Sequence, residues 1–229
     1  LLYANLFTAY GMLFSFPFQG YGFFSILFSN LSIFTSWVFS VYFWKDINRL
    51  PEKNVSTYWF KAALLFNALS ALGTFVLAGM MANKIIHQNW YLSAIYFFLH
   101  FQYNGWFFFA CMGLFIDKFT LLYAAEKMMK CIFWLFAAAC LPAFFLSALW
   151  LPMPLWLYLI VIISAVSQIV GWILLVRILV KQKEKLLASL TIHAKWLLTL
   201  SALALTVKLI LQLGSTIPAL STLAYGYRP

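Results

Sequence analysis

The chain predicts an all-α polytopic transmembrane helix bundle of about seven spans, and three observations carry that expectation. It is 65% hydrophobic and only 9% charged, whereas soluble domains are about half apolar and about a quarter charged. Its mean hydropathy of +0.93 is more apolar surface than a water-soluble fold of 229 residues can hide. Apolar runs of helix-spanning length recur along the chain with short polar turns between them, and a span needs about 20 such residues. Basic residues are concentrated in alternate turns. The net charge of +10 therefore reads as an orientation signal rather than a nucleic-acid surface.

Residues 1–18 form the first expected helix, with Asn5, Thr8, Met12 and Ser15 on one face and Pro17 and the Gln19-Gly20 pair ending it. Residues 21–44 form the second. Its Ser25, Ser29, Ser32, Ser36 and Ser40 recur at steps of three and four, a small-residue stripe that lets helix backbones approach in lipid. A polar turn over 45–54 with Pro51 follows, then a third helix over 55–82 whose Asn67, Ser70, Ala71, Thr74 and Ala78 make an inward seam. Residues 83–89 form a loop holding His87.

Residues 90–117 are the central helix. At helical spacing from His100, one face carries Ser93, Tyr96, Phe97, His100, Tyr103, Asn104, Phe107 and Cys111, and the opposite side carries Gln102, Gly105, Trp106 and Gly113. A lipid-facing rod does not present polar or small residues on both sides, so this one is expected to be enclosed by its neighbours.

A mildly amphipathic connector over 118–130 lies at the headgroups. The fifth helix, 131–150, is kinked at Pro142, whose ring removes a backbone hydrogen bond. A turn over 151–154 (LPMP) leads to the sixth, 155–180, with the seam Ser164, Ser167, Gln168 and Gly171. The basic turn 181–185 precedes the seventh, 188–213, where Ser201, Lys208, Gln212 and Ser215 align. The domain division is a bundle over 1–213 and an external polar tail over 214–229. Leu1 already lies in an apolar run without an initiator Met, so the chain reads as a piece of a longer protein.

Lys45, Arg49 and Lys53 lie in the second turn, Lys118, Lys127 and Lys130 in the fourth, and Arg177, Lys181, Lys183 and Lys185 at the sixth. The first and fifth turns carry none and the third only Lys84. The positive-inside rule then gives a cytoplasmic start and an external end. Asp46, Glu52, Asp117, Glu126 and Glu184 fall on the cytoplasmic side too, which leaves the expected membrane interior without a carboxylate.

His100 carries the chemistry. An ionisable group at mid-membrane marks function by default, and it admits three readings: a structural hydrogen-bonding role with Tyr103, Asn104 or a polar group on a neighbouring helix, a metal or haem ligand, and a proton relay. Lys208 either snorkels to the outer surface or is a buried cation that, with Gln212, holds an anionic group. His87 and His193 read as surface residues. Cys111, Cys131 and Cys140 have no metal-ligand spacing and read as small buried hydrophobes. No phosphate-binding glycine loop, HExxH or Ser-His-Asp pattern is present.

Two stretches, LHFQYNGWFFF over 99–109 and LTVKLILQLGSTIPAL over 205–220, resemble segments of bacterial polytopic proteins of the NnrS-like group, kin in style to the main subunit of haem-copper oxidases. The resemblance implies a multi-pass protein of the bacterial inner (plasma) membrane, associated with haem or copper in respiration or nitric oxide stress. A cofactor pocket would then use His100, Tyr103, Asn104, Lys208 and Gln212, with His100 as the metal ligand. The chain departs from that pattern in one respect: three histidines do not supply the six-histidine centre of such an oxidase.

Other readings stand beside it. In a transporter or channel, Asn67, His100, Asn104, Gln168, Lys208 and Gln212 would line a path, and the lack of intramembrane acids with Lys208 present favours an anion or a neutral solute. A retinal protein would need a carboxylate near its Schiff-base lysine. A non-catalytic subunit would draw its chemistry from other membrane subunits. The expected partners are the lipid bilayer and such subunits, with no nucleic acid.

Overall fold

The computed structural model describes residues 1–51, 54–151, 153–188 and 190–220, together with the backbone but not the side chains of Thr120, Leu121 and Ala124. Among the described residues every regular element is a helix. In chain order they are α1 (Leu2–Gln19), α2 (Phe23–Arg49), α3 (Val55–Ala82), α4 (Gln88–His100), a π-helical segment (Phe101–Phe107) and α5 (Phe108–Lys118). There follow a 3₁₀ turn (Thr120–Ala125), α6 (Glu126–Cys140), a second 3₁₀ segment (Pro142–Ala148), α7 (Leu155–Lys181), α8 (Lys183–Ala188) and α9 (Ile192–Gly214). Glu52 and Lys53 of the polar turn, Pro152 of LPMP, Ser189 and the final nine residues of the expected tail lie outside the described residues.

Helices α2, α3, α7 and α9 are each long and apolar enough to cross a membrane, and a fifth candidate is α6 with the 3₁₀ segment after it, bent by 44°. Large apolar side chains face outward all around them, Leu72, Ile163 and Leu203 among them. That inversion of the soluble pattern fits a membrane protein. Helix α1 is 18 residues long and falls outside this apolar set, its hydropathy lowered by Asn5, Thr8, Ser15 and Pro17. It runs through Pro17 to Gln19 and stops at Gly20, whose φ of 56° is the left-handed conformation open to glycine.

Helix α3 is the hub, packing against α2, α4, the π segment, α5 and α6. With lipid as solvent, burial of apolar surface does not pull helices together, so close backbone approach and polar contacts must. Both are present. A Cβ at Gly73 would lie 2.7 Å from the Ala94 carbonyl oxygen, and one at Gly105 would lie 2.6 Å from Phe66 Cβ, so both contacts admit only glycine. Ser70 Oγ donates to Gln102 Oε1 (2.8 Å), and Asn67 Nδ2 donates to Ser36 Oγ (2.5 Å) and Ser40 Oγ (3.4 Å) on the α2 serine stripe. Around this hub Trp59, fully buried, meets the rings of Phe108, Phe109, Phe133 and Phe136.

The expected boundaries change at four places. Helix α2 runs on through Arg49, five residues into the expected polar turn. The central helix is continuous over α4, the π segment and α5, but its middle widens to five-residue spacing, with the Phe108 N–H donating to the Tyr103 carbonyl. Turning there carries Tyr103, Phe107 and Cys111 out to an exposed face, so the rod is enclosed on its Gly105 side and open on the other. The connector after 118 is a 3₁₀ turn that leads into α6 at Glu126, and Leu122 in it is buried. The seventh expected helix begins at Ile192, with Thr191 Oγ1 accepting the Ala194 N–H, because the basic turn forms its own short helix α8.

Candidate functional site

Two irregularities meet at His100. The first is the proline bend between α6 and α7. Past Leu141 the chain tightens to three-residue spacing, so the Phe144 N–H goes to the Leu141 carbonyl (3.3 Å) rather than to that of Cys140, as an α-helix would have it. A buried carbonyl stripped of its helical donor needs another, and His100 Nε2 supplies it at 2.9 Å.

The second is the π segment that begins just after His100. It places Asn104 beside the imidazole, where Asn104 Nδ2 lies 3.1 Å from His100 Nδ1. A carbonyl only accepts, so His100 carries its proton on Nε2, and Nδ1 accepts from the Asn104 amide. That assignment turns Asn104 Oδ1 outward, and Lys208 Nζ on α9 donates to it at 2.6 Å. Lys208, Asn104, His100 and the Cys140 carbonyl thus form one chain in which each group donates to the next. Cys140 Sγ closes it with a weak contact to the Asn104 carbonyl at 3.7 Å.

His100 is buried at 6% exposure, with Phe101 and Phe144 presenting their rings edge-on. Asn104 is half-buried and Lys208 exposed. The lysine reaches sideways to Asn104 rather than along its helix toward an interface. It stands in the wall of a cleft of about 630 Å³ between the central rod, α7 and α9, lined among others by Tyr103, Phe107, Met112, Trp172, Leu198 and Ser201. The ion pairs among the described residues, Arg49 with Asp46 and Lys130 with Glu126, lie elsewhere, so Lys208 has a neutral partner and no carboxylate there.

Of the residues expected to act together, His100, Asn104 and Lys208 are joined in one network and Tyr103 lies on the cleft wall. Gln212 sits further along α9 and donates to Gln168 Oε1 (2.8 Å). A void of about 10 Å³ touching Asn104, Cys140, Gln168 and Lys208 connects the two groups, at the limit of what one water fills. Asn67 is on the far side, bonded to the α2 serines. Cys140 is buried as expected of an apolar-run cysteine, but Cys111 and Cys131 are exposed, one on the cleft and one on the outer face of α6. His87 and His193 are exposed, and His87 caps α4 by accepting the Trp90 N–H.

Sequence reasoning missed the Cys140 carbonyl and Trp172, whose Nε1 donates to Thr206 Oγ1 (2.9 Å) and ties α9 to α7 along the cleft. Pro142 signals a kink and a lost backbone hydrogen bond in the sequence, but not which side chain meets the carbonyl two residues before it.

A metal at His100 requires one of its two nitrogen contacts to open, since a ligating nitrogen needs its lone pair free and directed at the ion. Among the described residues no group of three or more His, Cys, Asp and Glu side chains is placed to hold a metal ion. In this arrangement both ring nitrogens of His100 are engaged, and neither is free to ligate a haem or copper ion. No family model, curated protein or solved structure matches the chain.

Proposed function

We propose that this is a multi-pass membrane protein of the transporter or carrier type, whose binding site for an anionic solute is the cleft beside Lys208. The observation that carries the reading is an ammonium in the wall of an apolar cleft, tied to the neutral Asn104 and without a carboxylate partner among the described residues. A cation facing hydrocarbon is costly unless paired, and an anion brought by the ligand meets that need.

About seven spans follow if α1 and the central rod cross beside the five candidates. The alternation of basic turns supports a cytoplasmic start and an external end in a plasma membrane. In this reading the chain from Lys208 to the Cys140 carbonyl fixes the lysine's position: the imidazole is held by the Cys140 carbonyl, it orients Asn104, and Asn104 aims the ammonium at the cleft. His100 is then a positioning residue.

Equilibrium binding of chloride, nitrate, acetate and dodecanoate to the purified chain in zwitterionic nanodiscs tests this. Saturable binding of at least one of them, weakened about tenfold or more by Lys208→Met, is the expected result. Binding of none in a Lys208-dependent manner would overturn it.

A further inference from the structure

We infer that the anion held at Lys208 is the carboxylate of a single-chain amphiphile that enters the cleft sideways from the bilayer. This rests on the anion site proposed above and names its substrate class. The cleft continues past the lysine along three helices. From Lys208 to Leu198 on α9, and from Asn104 to Phe115 on the central rod, its walls run on the order of 15 Å, lined by Phe107, Met112, Leu175, Leu179, Leu198 and Leu205. Such a trough has the length and chemistry of a medium acyl chain, with one charged group at one end.

A small hydrated anion gains nothing from those walls and must shed water to reach the lysine. An acyl carboxylate buries its chain against them while the charge pairs with the ammonium. Lys208 has three N–H donors and gives one to Asn104, which leaves two for the two carboxylate oxygens. The entrance faces outward: Tyr103 is 61% and Phe107 47% exposed, and Leu203 and Val207 of α9 look away from the bundle. A ligand dissolved in the membrane therefore reaches the site without crossing water.

The test uses the full chain in zwitterionic nanodiscs, with empty nanodiscs correcting for partition. Dodecanoate, dodecan-1-ol and acetate are titrated against the unaltered protein, Lys208→Met, Lys208→Arg and Ser201→Trp, the last placing an indole in the cleft wall. Thermal unfolding checks that each variant folds. The expected result is saturable dodecanoate binding at least about tenfold tighter than either dodecanol or acetate, lost in Lys208→Met, kept in Lys208→Arg and weakened about tenfold in Ser201→Trp. Acetate binding as tightly as dodecanoate, still dependent on Lys208, overturns the amphiphile and leaves the anion site standing. Dodecanoate binding no better than dodecanol and indifferent to Lys208→Met overturns the amphiphile, and it overturns the anion site as well when chloride, nitrate and acetate also bind without regard to Lys208.

Discussion

The two sides of the central rod are built on opposite terms. On the Gly105 side, α3 and α6 press against it through aromatic rings and close backbone contacts, with Trp59 and Phe101 shut in. On the Tyr103 side, α9 stands off across an open cleft and reaches over through the ammonium of Lys208 and, against α7, through Thr206 and Gln212. The same helix thus carries a jammed face and an accessible one. In a bilayer the first is where stability resides, since packing density replaces the hydrophobic effect there, and the second is where a ligand has room.

Substitutions that damage only one side sharpen that contrast. The largest loss is expected for Trp59→Ala, which leaves a cavity among four phenylalanines at a cost of about 3–5 kcal/mol, read as a lowered midpoint of thermal unfolding in nanodiscs. Gly105→Ala forces the rod off Phe66 and is expected to cost about 2–3 kcal/mol by the same measurement. A neutral outcome there would show that the two helices are not in contact. His100→Ala leaves the Cys140 carbonyl and the Asn104 amide without partners and is expected to cost about 1–3 kcal/mol. It is also expected to weaken the proposed anion binding, because Asn104 no longer holds the lysine. Lys208→Met is the mildest, expected to move stability by less than about 0.5 kcal/mol while removing anion binding. A large loss of stability in this variant would make the lysine a structural strut.

Much of the fold was legible because membrane helices announce themselves by length and composition. The serine stripe of α2, the Asn67 seam of α3 and the bend at Pro142 all came from residue types whose physical role does not depend on distant partners. The candidate site was legible only in part. His100, Asn104 and Lys208 stand out as polar groups in apolar runs, but the sequence leaves Lys208 either snorkelling outward or buried as a cation, and only the placement of α9 beside the rod turns it to Asn104. The π segment over 101–107 escaped because five-residue spacing leaves no distinct apolar period in a stretch that is aromatic on every side. The exposure of Cys111 and Cys131 escaped for a related reason: in lipid, a cysteine facing outward and one facing inward sit in equally apolar sequence.

By itself the sequence determined the solvent and the elements, since 65% hydrophobic composition in runs of spanning length leaves the chain helices in hydrocarbon as the way to satisfy its backbone. The tertiary structure decided which polar groups meet. A carbonyl freed on α6, an imidazole at the end of α4 and an ammonium on α9 are separated by 40 and 108 positions from His100, and no local pattern links them. They come together because each buried polar group in a low-dielectric interior must find a partner, and the packing of the rods fixes which one is within reach.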